Sequence, residues 1–123
     1  MNVSLTAGEL EALKTINAPT ISNAIEVFNI KARNQGFMGP EIKCIYRDME
    51  PMVGYACTAV IRANQSPPKG QAIDPRELWE EVLKTPEPRV LVIKDMDYPN
   101  PVGSFWGEVN ANVYRALGCV GTV

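Results

Sequence analysis

The residues best suited to chemistry are concentrated in one short segment, residues 95–110. Its candidate residues are three acids, two glycines and two of its aromatic residues, in the order Asp95, Asp97, Gly103, Phe105, Trp106, Gly107 and Glu108. Because the sequence contains no histidine, imidazole acid–base catalysis, histidine-based triads and histidine-ligated zinc are excluded for this chain. Chemistry here must therefore use carboxylates, lysine, arginine, tyrosine, thiols, backbone amides or a metal ion.

The segment lies between a predicted strand and a predicted helix. Residues 89–93 are a nearly continuous apolar run, which is typical of a strand buried on both faces. A helix is predicted from about Phe105 to Leu117 and closed by Gly118, and residues 119–123 are predicted to form another buried strand. Strand, helix and strand make a βαβ unit, whose two strands should be parallel neighbours joined right-handedly.

The start of this helix is a predicted substrate-binding site. In parallel α/β sheets, ligands bind outside the carboxyl ends of the strands, where the following helix directs its N-terminal amides. Free amides at Gly107, Glu108, Val109 and Asn110 would bind the carboxylate of a small substrate.

A purely structural interpretation also fits the spacing of these residues. In it the two aspartates are turn residues, Trp106 is a packing residue and Glu108 complements the helix dipole. The glycine pair Gly103 and Gly107 is neither a P-loop nor a dinucleotide fingerprint, because the Lys-Ser/Thr pair and a third glycine are missing.

Two helices are predicted to open the chain. The first begins with a capping box of Thr6 and Glu9, and the second with Thr20 as its N-cap. Apolar residues at helical spacing predict a buried face on each helix; they are Leu10, Leu13 and Ile16 in the first, and Ile21, Ala24, Ile25 and Phe28 in the second.

Strand patterns follow these helices. Alternating residues predict strands at 42–46 and 53–63, joined by a hairpin-like polar connection ending at Pro51. A proline-rich loop then leads to a helix capped by Asp74 and extending to about Lys84.

Composition limits the class of protein. The chain has 123 residues, 12 basic and 14 acidic, with a net charge of −2, so it lacks the basic excess of a nucleic-acid-binding domain. The longest apolar runs are about four residues and no basic N-terminal region precedes one, so we expect neither a membrane span nor a signal peptide, and a cytoplasmic location. The three cysteines, Cys44, Cys57 and Cys119, are expected to be small buried residues within strands in a reducing compartment.

Five blocks, taken in order, resemble one known family. They are residues 20–25 (TISNAI), 53–59 (VGYACTA), 89–93 (RVLVI), 106–108 (WGE) and 118–123 (GCVGTV). The series resembles the family of the regulator of ribonuclease activity A and 4-hydroxy-4-methyl-2-oxoglutarate aldolase, from about Ala18 to Val123. One departure is Asn23, which stands where the family usually has an acid.

The resemblance implies a fold, an activity and an assembly. The fold would be an α/β/β layered sandwich of the swivelling phosphohistidine-domain type, assembled as a homotrimer. The activity would be that of a divalent-metal-dependent lyase, an aldolase and oxaloacetate decarboxylase, acting on small 2-oxo acids. Mg²⁺ or Mn²⁺ would chelate the oxo acid and stabilise the enolate, and the helix-start residues 107–110 would hold the carboxylate.

The resemblance also implies residues that fall outside these 123. The family places an Arg-Asp pair about twenty residues after the acid that aligns with Glu108, which is past Val123. We therefore expect residues 1–123 to be one domain truncated at its C-terminal end, with no catalytic residue or metal ligand identified in it. The alternatives are a non-catalytic regulator that binds ribonuclease E, or an inactive remnant.

Overall fold

The structure, a computed structural model, describes residues 4–123. The chain divides into two compact units, the first up to Pro51 and the second Met52–Val123. The described residues contain four α-helices and one three-stranded parallel sheet, so the protein belongs to the mixed α/β class.

The first unit contains α1 (Ala7–Lys14) and α2 (Ala18–Val27). Helix α1 begins with the predicted capping box, in which Glu9 N donates to Thr6 Oγ1 at 3.3 Å and Thr6 N donates to Glu9 Oε2 at 2.7 Å. The prediction that Thr20 caps α2 was wrong. The cap is Asn17, whose side chain accepts from the Thr20 amide at 2.9 Å. Pro19, expected to precede the helix, lies inside its first turn, because the first N–H groups of a helix have no intrahelical acceptor and a proline there loses no hydrogen bond.

Two further predictions for this unit were wrong. Neither helix has a fully buried residue, and Ile25 and Phe28 on the predicted buried face of α2 are exposed. Residues 42–46 form no strand, and the hairpin that would follow is absent from the described chain. A strand needs a pairing partner, and the next strand along the chain, Tyr55–Ile61, pairs with Arg89–Asp95 instead. Cys44, predicted to be buried in this strand, is accordingly exposed.

The second unit is built from two consecutive βαβ units. Its elements are β1 (Tyr55–Ile61), α3 (Pro75–Lys84), β2 (Arg89–Asp95), α4 (Glu108–Ala116) and β3 (Cys119–Thr122). The strands are parallel in the order β1-β2-β3, with Tyr55 opposite Arg89 and Ile61 opposite Asp95. The predicted parallel pairing of β2 with β3 is confirmed. Gly118 ends α4 with a φ of 77°, which is a conformation that glycine adopts without strain.

The core of this unit lies between one face of the sheet and the two helices. Its buried residues are Cys57, Val82, Leu91 and Tyr114, with partly buried Trp79, Phe105 and Leu117 among those packed around them. The other face is covered unevenly. Val90 is buried, whereas Val120 of β3 is 54% exposed, so the prediction that the last strand is buried on both faces was wrong. β3 is an edge strand, and no layer of the described chain covers Val120.

A buried arginine joins the helix ends to the sheet. Arg89, the first residue of β2, is 7% exposed, and its guanidinium donates to Thr85 O at 2.6 Å, to Leu117 O and to Glu87 Oε1 at 2.9 Å. The carbonyls of Thr85 and Leu117 lie at the C-terminal ends of α3 and α4, where helical carbonyls have no partner within the helix. One side chain therefore satisfies acceptors from both helices.

Among residues 4–123, no helix is both long enough and apolar enough to cross a membrane.

Candidate functional site

The site region begins where β1 and β2 end. Because the two strands are parallel neighbours, their carboxyl ends lie at the same edge of the sheet, with Ile61 opposite Asp95. The segment after β2 returns to this edge before α4 starts. Met96 N donates to Ile61 O at 2.9 Å, which continues the contact between the two strands past the end of β2.

Asp97 holds this edge together. It is 7% exposed, and its Oδ2 accepts from the amides of Ala63 at 2.7 Å and Asn64 at 3.0 Å. Its Oδ1 is buried and has no hydrogen-bond partner among the described residues. Asp95 completes the turn, since its Oδ1 accepts from Asp97 N at 2.9 Å. Both aspartates therefore accept hydrogen bonds from backbone amides of the turns at this edge, as the purely structural interpretation predicted.

A cleft opens next to this turn, and we call it the β1–β2 cleft. It has a volume of about 360 Å³ and is lined by Val60, Ile61, Arg62, Ala63, Asp95, Gly103, Ser104 and Phe105. Gly103 approaches Ala63 so closely that a Cβ at position 103 would collide with the Ala63 methyl group. The loop before α4 thus packs directly on the end of β1.

Helix α4 starts three residues later than the sequence predicted. Gly107 is its N-cap, in extended backbone, and makes no side-chain cap. The first helical bond is from Ala111 N to Gly107 O at 2.9 Å. The amides of Glu108, Val109 and Asn110 precede it, and within the described residues they donate no hydrogen bond.

Asn110 connects this helix start to the cleft wall. Its Nδ2 donates to Phe105 O at 2.6 Å, which fixes the loop against the first turn of α4. The ring of Phe105 packs 5.2 Å from that of Trp106 and 5.7 Å from that of Tyr114, measured between centroids. Trp106 therefore packs against core aromatics, as the structural interpretation expected.

The four predicted substrate-binding residues lie together at this helix start but do not line the cleft. Glu108 and Val109 have exposed side chains, and a Cβ on Gly107 would have no atom within 4 Å. Along the chain, only Trp106 separates the cleft-lining residue Phe105 from Gly107.

Sequence reasoning missed the β1 side of the site, namely Val60, Arg62 and Ala63. They lie at the carboxyl end of β1, a strand whose parallel pairing with β2 was not predicted. The signal was present, because a helix with a strong N-cap separates the two strands and makes a second βαβ unit, which brings both carboxyl ends to one edge.

Two pKa values in the core are shifted by burial. The pKa of Tyr114 is raised mainly because desolvation disfavours the phenolate, and a hydrogen bond with Trp79 partly offsets this. Burial likewise raises the pKa of the Cys119 thiol. Both groups are therefore kept in their neutral forms, which suits packing and disfavours a role as nucleophile or base.

Comparisons of the chain with models of protein families, with curated proteins and with solved structures give no match. Function therefore has to be inferred from the residues and geometry described above.

Proposed function

We propose that the second unit binds a small 2-oxo acid, as part of a divalent-metal-dependent carbon–carbon lyase of the 4-hydroxy-4-methyl-2-oxoglutarate aldolase and oxaloacetate decarboxylase type. The observation that carries the proposal is the set of three amides at Glu108, Val109 and Asn110, which lack acceptors among the described residues. They follow the loop that lines the β1–β2 cleft, at the carboxyl ends of two parallel strands. This is where α/β proteins bind anionic ligands.

The role of these residues is to hold and orient the acid. A carboxylate at the start of α4 would accept from consecutive amides and interact favourably with the positive end of the helix dipole. Hydrogen bonds from fixed backbone donors need no rearrangement as charge develops on the substrate. Asn110 assists indirectly, because its bond to Phe105 O fixes the loop beside the helix start.

The divalent metal of this proposal is not assigned to residues of this chain. Within residues 4–123, no three side chains of histidine, cysteine, aspartate or glutamate lie close enough together to hold a metal ion. Asp97, the one buried acid of the site, already uses Oδ2 for two amides. The described residues thus do not by themselves fit Mg²⁺ or Mn²⁺, and we assign them acid binding alone.

The finer fold and the assembly belong to the same proposal. We infer an α/β/β layered sandwich of the swivelling phosphohistidine-domain type, assembled as a homotrimer. The parallel sheet with helices on one face supports the α/β part of this arrangement. The exposed face that carries Val60 and Val120 is where a second β-layer would pack.

Oxalate, a stable analogue of a 2-oxo acid, tests the proposed site by isothermal titration calorimetry. Glu108→Pro removes one of the three amide donors while keeping the helix, since proline is favoured at the first helical position and Gly107 is already extended. We expect oxalate binding to weaken about tenfold, the usual effect of losing one hydrogen bond to a charged group.

The matched control is Glu108→Ala, which keeps the amide and removes a carboxylate from beside the anion. It should bind oxalate as tightly as the wild type or more tightly. Equal binding by the proline and alanine variants would contradict the placement of the acid at α4.

A second candidate function is a non-catalytic regulator that binds ribonuclease E. The observation that favours it is the apolar surface of the first unit, where Val27, Phe28, Ile30 and Ile45 are each more than 70% exposed. Surfaces of this kind mark protein interaction sites. Titration of ribonuclease E with the wild type and with Phe28→Ser would distinguish this candidate, since it requires binding that the serine variant loses.

A further inference from the structure

Arg62 is a basic residue at the wall of the β1–β2 cleft. It is the first residue after β1, it lines the cleft, and it makes no ion pair or hydrogen bond within the described residues. The other basic residue at this edge, Lys94 of β2, is exposed and does not line the cleft. Arg62 is thus the lining residue that can bind an anionic group, through its fixed fork of donors.

Asp95 supplies the opposite chemistry in the same cleft. It is half-buried, and its Oδ1 accepts from Asp97 N at 2.9 Å. Its second oxygen, Oδ2, makes no hydrogen bond within the described residues, so it is available to accept one from a ligand. Arg62 directly follows Ile61, which lies opposite Asp95 in the sheet, and both Arg62 and Asp95 line the cleft.

The rest of the lining sets the size and polarity of the ligand. The cleft has apolar walls, formed by Val60, Ile61, Ala63 and Phe105. Its volume of about 360 Å³ is small compared with the usual volumes of ligand-binding pockets. The close packing of Gly103 on Ala63 and the hydrogen bonds that Asp97 accepts from the Ala63 and Asn64 amides fix the position of these walls. A ligand that fits is small, places a carboxylate at Arg62 and offers a hydrogen-bond donor to Asp95.

We propose that the β1–β2 cleft binds a small hydroxycarboxylate, with Arg62 binding a carboxylate and Asp95 accepting a hydrogen bond from the hydroxyl group. This rests on the proposed function for the location of a small organic acid at this edge of the sheet, and it adds the two side chains that select the acid. Asp95 distinguishes a hydroxy acid from an unsubstituted one, because its carboxylate repels both anions and only the hydroxy acid offsets this with a hydrogen bond.

L-Malate and succinate test this selection, since they differ by one hydroxyl group. Titrations followed by backbone amide NMR, with EDTA present to remove metal ions, report both the affinity and the location of binding. We expect malate to bind about tenfold more tightly than succinate, the usual value of one hydrogen bond to a charged group. The amides of Ala63, Gly103 and Ser104 should shift. Equal binding of the two acids would overturn the proposal.

Three variants separate the roles. Arg62→Gln should weaken malate binding at least about tenfold, since it removes a charge-assisted, two-pronged contact. Asp95→Asn keeps an oxygen for Asp97 N and should reduce the preference for malate over succinate to near one. Lys94→Gln, which removes a cation outside the cleft, should change neither. An Arg62→Gln effect no larger than that of Lys94→Gln would overturn the proposal.

The result is distinguishable from that of the proposed function. Malate binding in EDTA requires neither a metal nor turnover, whereas oxalate binding at α4 is tested by the Glu108 variants. If malate does not bind at the cleft, oxalate binding at α4 can still be measured, and the reverse also holds.

Discussion

At the scale of single residues, the second unit depends on two buried charged side chains, each of which serves several backbone groups. Asp97 accepts from two amides after β1, and Arg89 donates to carbonyls at the ends of two helices. Neither role could be predicted from the sequence, because each depends on residues brought together by the fold. Asp97 and Ala63 are 34 positions apart, and Arg89 and Leu117 are 28 apart.

Replacing Arg89 tests its structural role. Arg89→Met should lower the free energy of unfolding by about 3 kcal/mol, because it leaves two partly buried carbonyls, at Thr85 and Leu117, without this donor. Urea unfolding followed by circular dichroism measures this. Arg76→Met is the matched control, since the Arg76 ion pair with Asp74 is exposed and its loss should cost less than about 1 kcal/mol. A loss of unfolding free energy in Arg89→Met no larger than that in Arg76→Met would contradict the structural role of Arg89.

At the scale of elements, local signals predicted the helices and central strands well. The capping boxes of α1 and α3, the apolar run of β2 and the glycine after α4 each depend on a few adjacent residues. The strand predicted at residues 42–46 failed because alternation alone does not supply a pairing partner. The cleft was predicted in part, from Asp95 onward, and its β1 wall was missed for the same non-local reason.

The N-cap of α3 should make stability depend on pH. The pKa of Asp74 is lowered, first by the hydrogen bond from the Arg76 side chain and then by that from the Arg76 amide. A carboxylate whose pKa is lower in the folded state stabilises the fold above the unfolded-state value of about 3.9 and loses this contribution as the pH falls below it. Thermal unfolding of the wild type at pH 7 and pH 3, compared with Asp74→Asn, measures the effect.

Asparagine is a good N-cap that does not titrate. The melting temperature of Asp74→Asn should therefore fall less between pH 7 and pH 3 than that of the wild type. An equal fall in both proteins would mean that other carboxylates account for the acid sensitivity.

At the scale of the whole molecule, the chain exposes more surface than compact units of its size. Its accessible surface is 10208 Å², whereas two compact units of these masses would expose about 7,800 Å² in total. The excess is larger than the roughly 800 Å² that each partner contributes to a standard interface. The exposed side chains include large apolar ones, such as Val27 and Ile30 in the first unit and Val120 on the edge strand β3.

We therefore predict that the protein self-associates, with β3 at an interface. Sedimentation velocity across a range of concentrations should detect an oligomer, and Val120→Lys should shift the distribution towards monomer, because a charge on an edge strand opposes association. Leu83→Lys on α3, a position as exposed as Val120 and outside the sheet, is the comparison for added charge alone. A stable monomer at high concentration would rule the prediction out.

The central claim is that a small organic acid binds at the carboxyl ends of the parallel strands, with its carboxylate at the start of α4. A crystal structure of the chain soaked in oxalate with Mg²⁺ tests it most directly. We predict that the carboxylate accepts hydrogen bonds from the Glu108 and Val109 amides, at about 2.7–3.1 Å between nitrogen and oxygen. Oxalate bound elsewhere, with these amides unoccupied, would contradict the account.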